Sequence, residues 1–433
     1  MKRNLTIKAV AMVLLLAFSC LLVPAASAAV PPAQAPVWQN GETWAVGSEF
    51  DWGSDLAGPI QNLTEDLGIP GVSFDEFRLA ANGSSWIVFE VTDADATEYH
   101  LNGKLAMKFN FELHLKVTAQ LPDPGTYENI GLAPKSQRTI QADAVLNLAF
   151  IVDTNTVFEN GTLAVKSSSI EMIGSAMASL DLKNFPDLSL LANGTVSYIN
   201  YHFDVKFNAD VLLNLIFDPW LDVFHFPINE LESWDVESNV TLSGSVTGYL
   251  NVNGLPLSVE QMLFSNPYLE ELGITSFPID FSEISWTGPP TVMNGVLQPM
   301  TGHIGMSMEC TGATTWILPL YGDLVVFTIE VNGGQNYLFY SDDIKFLAQV
   351  DANLSEVGGV PPEFQGLSMG MQPVEPVTAE QNIASISEYE STLLSGSSSG
   401  APLDPIVAIL FGVVLVAAGL VVVVAVVMRR KRI

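Results

Sequence analysis

The chain has 433 residues, of which 17 are Lys or Arg and 47 are Asp or Glu, so its formal net charge at pH 7 is −30. Such a chain repels the phosphates of nucleic acids, and nucleic-acid binding is therefore excluded as its main function. Its two cysteines are Cys20 and Cys310. Loss of an N-terminal segment with Cys20 would leave one thiol, so no disulfide framework is expected.

The N-terminus predicts export. Basic residues within the first eight positions precede the apolar run Ala9–Val23, and the small residues Ala26-Ser27-Ala28 follow it. This order is typical of a cleavable secretory signal, so we expect residues 1–28 to be removed. Residues 29–37 form a Pro/Ala-rich lead before the folded body.

Most of the body alternates between apolar and polar residues. In Lys104–Thr118 the odd positions from Leu105 to Val117 are apolar, whereas the even positions are mainly polar or charged, as expected for a half-buried antiparallel strand. The same period recurs in residues 142–152, 162–173, 195–207, 239–252 and 324–331. Turn signals of the Asn-Gly type occur at residues 102–103, 160–161, 193–194, 253–254 and 332–333. The pattern predicts an all-β fold of large antiparallel sheets.

Two landmarks recur in the same order. Trp44 is followed by Leu67-Gly68-Ile69, and Trp234 is followed by Leu272-Gly273-Ile274. If they mark an internal repeat, the body consists of two related β lobes, residues 38–228 and 229–357. Chance similarity between short motifs is the alternative.

Helical patterns are few and short. They cover Gly58–Leu67, Ser258–Leu272 and Thr378–Leu394, and the last two begin with a Ser or Thr that has a Gln three residues on.

The C-terminal region predicts a membrane anchor. Residues 358–404 are rich in Gly, Pro and Ser and are expected to form a flexible stalk with a possible short helix. Ile406–Met428 carries no charge and is long enough to cross a bilayer, so residues 405–428 are predicted to span it. The basic tail, residues 429–433, should be cytoplasmic and everything before the span extracellular.

Charge and glycosylation motifs describe the expected ectodomain. Residues 29–403 contain ten of the Lys and Arg residues and 46 of the Asp and Glu residues, a net charge of −36. A solvated acidic surface explains this balance, and a cation-binding role is the alternative. Six Asn-x-Ser/Thr sequons are candidates for glycosylation: Asn62, Asn82, Asn160, Asn193, Asn239 and Asn353. Six sequons without a disulfide favour an archaeal surface protein.

Two sequence segments resemble those of a known class of protein. Phe224-His225-Phe226-Pro227 precedes Trp234, and the strand-like segment Tyr340–Phe346 comes late in the body. Over residues 217–350 the chain resembles archaeal secreted, C-terminally membrane-anchored, β-rich cell-surface proteins. Some similar single-sheet proteins carry lipid on a concave sheet, but the two segments themselves do not indicate that role.

One cluster has the residue types of a metal site. Met300, His303, Met306, Met308 and Cys310 fall within eleven residues, and Met306, Met308 and Cys310 would share one face of a strand. Thioether, imidazole and thiolate suit Cu(I), whereas the alternative is an ordinary strand face that packs in the core. No catalytic motif and no cofactor-binding fingerprint occurs in the sequence.

Three functions remain open. The leading hypothesis is a non-enzymatic, glycosylated surface protein that is structural, adhesive or presents a surface to other surface proteins. The second is a module that binds lipid or another hydrophobic ligand on a concave sheet. An exoenzyme without a recognisable motif is the third.

Overall fold

The computed structural model describes residues 30–51, 72–128, 133–187, 190, 195–255, 260, 264, 275–285, 291–318, 320–333, 336–351 and 372–394. These residues form sixteen β-strands, one complete α-helix, α1 (Pro376–Leu394), and a short 3-10 helix at Phe281–Glu283. The strands are β1 (Thr43–Asp51), β2 (Val72–Ala94), β3 (Glu98–Pro122), β4 (Gly125–Thr126), β5 (Lys135–Glu159), β6 (Val165–Pro186), β7 (Thr195–Val196), β8 (Tyr198–Leu221), β9 (Ser233–Asn253), β10 (Ile279–Asp280), β11 (Val292–Met293), β12 (Val296–Leu318), β13 (Gly322–Val331), β14 (Asn336–Ser341), β15 (Phe346–Asp351) and β16 (Gln372–Val374). The predicted all-β class is confirmed.

One sheet contains fourteen of these strands, in the order β15-β14-β13-β12-β9-β8-β6-β5-β3-β2-β1-β16, with β10 and β11 paired to β9 and β12. From β1 to β15 each strand of this order lies beside the strand that precedes it along the chain, and every pairing is antiparallel. The strands β4 and β7 form a separate two-stranded sheet. The main sheet is therefore a meander.

The longest strands have 21 to 25 residues. The segment Lys104–Thr118 lies within β3, which begins six residues earlier than its alternation indicates. The predicted turn at Asn102-Gly103 is wrong, because both residues lie inside β3. A Cβ atom on Gly103 would lie only 2.6 Å from Thr154 Oγ1 and 3.2 Å from the Phe89 ring, so this glycine permits close packing rather than a turn.

The sheet is rolled. Strands β1 and β15 are ten strand spacings apart in the order, which is about 48 Å in a flat sheet. Yet the rings of Trp44 in β1 and Phe346 in β15 have centroids 5.5 Å apart, and β15 also contacts β16. The two edges of the sheet therefore meet. Because β13, β14 and β15 have only 10, 6 and 6 residues, the edges meet at one end, hereafter the closed end.

Residues 34–42, which precede β1, seal the closed end. Trp38 lies in front of β1, and its indole N–H donates a hydrogen bond to the carbonyl of Lys345 at 3.0 Å. The Lys345 ammonium is 2.6 Å from a carboxylate oxygen of Glu42, and the Tyr340 hydroxyl donates to the carbonyl of Gln34 at 3.3 Å. Residues near the beginning and near the end of the sheet are thus held together.

Helix α1 packs on the outer face of the roll. It contacts β1, β2, β3, β5 and β6, so it crosses the strands instead of following one of them. Ala379, Ile383 and Ile386 of the helix share a buried cluster with Trp86 and other sheet residues. Near the helix end, the Ser175 hydroxyl donates to the Glu390 carboxylate at 2.5 Å.

This docking corrects the stalk prediction for residues 372–394. They form β16, which pairs with β1, and α1, which buries an apolar face; the short helix expected at Thr378–Leu394 is confirmed. The other parts of the predicted stalk, 358–371 and 395–404, lie outside the described residues, as do Gly58–Leu67, most of Ser258–Leu272, the signal segment and the span at 405–428. Within the part of the chain that the structure describes, no helix combines the length and apolarity needed to cross a membrane.

The boundary predicted between the two lobes falls between paired strands of one sheet, since β8 and β9 pair from Asp204↔Asn253 to Asp218↔Asn239. The chain enters the strands of the two Trp landmarks with the same backbone geometry, three residues before each Trp. Gly41 and Leu231, both at positive φ, donate from their backbone N–H to the carbonyls of Val91 and Cys310. The Leu-Gly-Ile landmarks lie outside the described residues, so a repeat stays a prediction.

The docking of α1 can be tested by side-chain truncation. Ile383 is 3% exposed, so Ile383→Ala should lower the free energy of unfolding by about 2–4 kcal/mol through lost burial and a cavity. Val377, on the same helix, is 62% exposed, and Val377→Ala should change it by less than about 0.5 kcal/mol. Denaturant titration of both variants measures the difference. Equal effects would show that the helix does not pack on the sheet.

Candidate functional site

The inner face of the roll is defined by strand register. The odd residues of β3 from Tyr99 to Leu121 face inwards, opposite the even residues of β5. The even residues of β3, such as Lys104, Lys108 and Lys116, face outwards. The predicted division of this strand into an apolar and a polar face is confirmed.

Two large buried clusters lie on the inner face. The closed-end cluster is centred on Phe346, whose ring contacts those of Trp38, Trp44, Phe89 and Phe224 at 5.4–6.1 Å. The trough cluster lies farther along the strands, beside the last residues of β1, where the ring of Phe50 stacks on that of Phe109 at 6.4 Å. Its sheet residues and their partly buried neighbours include Phe109, Leu148, Phe150, Phe207 and Leu250.

A segment between β9 and β12 covers part of the trough cluster. Phe264, Phe277, Ile279 and Ile284 pack against it, and the rings of Phe264 and Phe277 meet edge to face at 4.9 Å. This covering segment supplies apolar side chains where a β-sandwich would place a second sheet.

Between the two clusters, the inner face carries a middle band of aliphatic side chains. Register places these residues side by side on β3, β5, β6, β8, β9 and β12. All of them are only partly buried, and none belongs to a buried cluster formed by described residues. The members of the middle band are Leu105, Val152, Ile170, Met172, Leu213, Leu215, Leu242 and Met300.

The number of strands explains why the middle band is not fully packed. Twelve strands lie along the path of the roll. Closed sheets of about eight strands have interiors that side chains just fill or that hold one small ligand, and the diameter grows with strand number. By this scaling, a roll of twelve strands encloses a wider interior than an eight-stranded one.

The polar side chains near the middle band are already hydrogen-bonded. Thr154 donates to the carbonyl of Gly103 at 3.2 Å, and the hydroxyls of Thr156 and Ser168 are 2.9 Å apart. No charged residue occurs among the inward positions of this band on the described strands. The band offers an apolar surface without a charged partner.

The structure separates the Met/His/Cys cluster. Met308 and Cys310 are buried in the closed-end cluster, and Met306 packs against it on the same face of β12. His303 is exposed on the opposite face, while Met300 belongs to the middle band. Burial raises the pKa of the Cys310 thiol above its ordinary value. In the described part of the chain, no group of three or more His, Cys, Asp and Glu residues is arranged to hold a metal ion.

The sequons that the structure describes lie outside the roll. Asn82 and Asn239 are exposed on the outer faces of β2 and β9, and Asn160 lies in the turn between β5 and β6. Asn62, Asn193 and Asn353 lie outside the described residues.

A row of ionisable residues crosses the outer face, hereafter the charged row. Arg78, His114, Asp143, Asp181 and His202 are direct cross-strand neighbours on β2, β3, β5, β6 and β8. The ring nitrogens of His114 lie 2.5 Å from Asp143 and 3.2 Å from a second carboxylate, that of Glu76 on β2. Sequence alternation indicated the outward face, but the alignment of these residues depends on register.

The histidine at the end of the charged row also lies between two carboxylates. The ring nitrogens of His202 are 2.9 Å from Asp181 and 3.1 Å from Asp204. The hydrogen bond with Asp181 and the charge of Asp204 raise the pKa of His202, whereas the hydrogen bond from His114 lowers that of Glu76. The charged row is a network of surface ion pairs.

A polar groove of about 520 Å³ lies beside α1 on the outer face. Its lining includes Glu90, Glu171 and Glu380, together with Lys104 and Asp153, whose charged atoms are 3.6 Å apart. This lining does not suit an apolar molecule. The interior of the roll is the better candidate site.

No protein-family model, curated protein or solved structure shows significant similarity to this chain.

The position of Cys310 gives a reactivity prediction. In the folded protein its thiol should react with a maleimide only on unfolding, and Cys310→Ser should lower the free energy of unfolding by about 1–3 kcal/mol. Ser307 lies exposed on the outer face of the same strand, so Ser307→Cys in the Cys310→Ser background should react rapidly. Mass spectrometry of the labelled protein measures both rates. A native Cys310 that reacts freely and is protected by Cu(I) would contradict its assignment to the core.

The charged row gives a pH prediction. His202 has a raised folded pKa, so its contribution to stability should be complete below its ordinary value of 6.5 and disappear as pH rises through the raised value. Glu76 has a lowered folded pKa, so its contribution should be complete above its ordinary value of 4.5 and disappear as pH falls. The melting temperatures of the unmodified protein and His202→Gln should therefore differ most below pH 6.5 and converge as pH rises through the raised pKa of His202. His303→Gln, at an exposed position, is the control, and a difference that grows with rising pH would refute the assignment.

Proposed function

We propose that this protein is a non-enzymatic cell-surface protein whose rolled sheet holds a hydrophobic ligand in its interior. The observation that carries the proposal is the middle band, whose aliphatic side chains face inwards and yet stay partly exposed. Ligand sites are typically apolar concavities of this kind. A purely structural β body would gain stability by burying the same side chains against each other.

The arrangement of the clusters supports a bound ligand. The closed-end cluster seals one end of the interior. The described residues of the covering segment pack on the trough cluster and not on the middle band. A molecule in the band would bury partly exposed Leu, Ile, Val and Met side chains, which contributes roughly 25 cal/mol per Å² of apolar surface removed from water. The site thus offers a substantial driving force for an apolar ligand.

The cell-surface part of the proposal rests on the sequence. It combines the signal at residues 1–28, the span at 405–428 and the basic tail at 429–433, with the body extracellular. The outward positions of Asn82, Asn160 and Asn239 support glycosylation, because a glycan there does not obstruct the interior. The strongly acidic surface supports solubility in a salt-rich exterior.

Ligand content tests the proposal. The full chain is purified from its membrane, bound molecules are extracted with organic solvent, and the extract is quantified by mass spectrometry per mole of protein. Leu213→Trp with Leu215→Trp fills the interior, whereas Leu212→Trp with Ile216→Trp places the same rings on the exposed outer face of the same strand. Lipid that binds to the proposed membrane span should be present in equal amounts in all three extracts, so it does not affect the comparison. We expect a stoichiometric ligand in the unmodified and outward-substituted proteins that is lost from the inward-substituted one.

Equal extracts from all three proteins would refute ligand binding and leave the structural or adhesive role. The melting temperature of each variant is measured first, so that a loss of ligand is not confused with a loss of fold.

A further inference from the structure

We infer that the ligand is an extended aliphatic chain that lies across the strands of the middle band, with its polar end outside that band. This inference rests on the proposed function and specifies its ligand class. It excludes fused-ring molecules and ligands whose charge would have to enter the band.

The first argument is the separation of aromatic and aliphatic side chains. Most aromatic rings of the inner face lie in the closed-end and trough clusters or in a third cluster around Tyr201, where they contact one another, and inward Phe217 is buried. The partly exposed side chains between these clusters are Leu, Ile, Val and Met. Flexible aliphatic and thioether side chains adapt to a flexible chain, and they provide none of the flat ring surfaces that stack on a planar ligand.

The second argument is the length of the band. On β8 the partly exposed inward residues are Leu213 and Leu215, only about 7 Å apart at the rise of a β-strand, and buried Val211 and Phe217 flank them. Across the sheet, the band runs from Leu105 on β3 to Met300 on β12, which is five strand spacings or about 24 Å. The free apolar surface is therefore elongated across the strands.

The third argument is electrostatic. The described inward positions of the middle band carry no charge, and no Lys or Arg occurs anywhere between Lys206 and Lys345, the part of the sequence that contains β9, β12 and β13. A carboxylate or phosphate in the band would lose its hydration without gaining a cationic partner. The polar end of the ligand must accordingly project towards solvent.

Photolabelling distinguishes the ligand classes. The full chain in lipid vesicles is irradiated with a palmitate that carries a diazirine at the end of its acyl chain, and separately with a diazirine sterol. Adducts are located by peptide mass spectrometry. We expect the palmitate probe to label the peptides of β8 and β12 that contain Leu213, Leu215 and Met300, and the sterol probe to leave them unlabelled.

Variants assign the label to the interior. Leu213→Trp with Leu215→Trp should lower palmitate labelling of the β12 peptide roughly tenfold, whereas Leu212→Trp with Ile216→Trp should leave it unchanged. Excess unlabelled palmitate should remove the label from the unmodified protein, so the result does not depend on the variants alone.

Three outcomes would overturn the inference. These are sterol labelling of the band without palmitate labelling, equal labelling by both probes, and palmitate adducts confined to peptides outside the inner face. If the solvent extracts still contain a stoichiometric ligand in any of these cases, the proposed function stands and only the ligand class is wrong. If the extracts are also empty, both fail.

Discussion

The contact between the two edges of the sheet is the constraint on which the rest of the structure depends. Phe346 of β15 lies against Trp44 of β1 and Phe89 of β2, and Trp38, which precedes β1, also packs against Phe346 and Trp44. A flat sheet of this size would expose one complete apolar face, which is a liability for aggregation. Closure hides that face, and it also creates an interior. The stability of the fold and its proposed binding site therefore have the same origin.

Sequence alternation was sufficient to predict where long strands occur and which of their residues share a face. It identified β3 and assigned Leu105 and Lys104 to opposite faces, because a strand has a period of two wherever it lies in a sheet. The prediction failed at Asn102-Gly103, because Gly103 does not form a turn but allows the Phe89 ring to pack closely against the backbone. It also treated residues 372–394 as part of a stalk, because the apolar face that α1 buries depends on a matching patch around Trp86 that lies far away in sequence.

The site was less predictable than the fold. The pattern of Leu213 and Leu215 is the same whether these residues pack in a solid core or line an open interior, and only the number of strands in the closed path separates the two cases. The charged row illustrates the same limit. Each of His114, Asp143 and His202 is an ordinary outward residue of its strand, and only strand register makes them neighbours. A Met/His/Cys cluster that looked compact in sequence is divided between two faces of β12 by the same alternation.

The meander has a consequence for the order of assembly. Each long strand pairs with the strand made just before it, so the sheet can grow by adding strands while the chain is still being synthesised. The contacts of Trp38 with Lys345 and Phe346 join residues about three hundred positions apart, so the seam can form only after nearly the whole body has been made. Until then the inner face lies open along its length. An apolar molecule that binds to the inner face during this interval would be enclosed by the last strands, and the sheet would close around it.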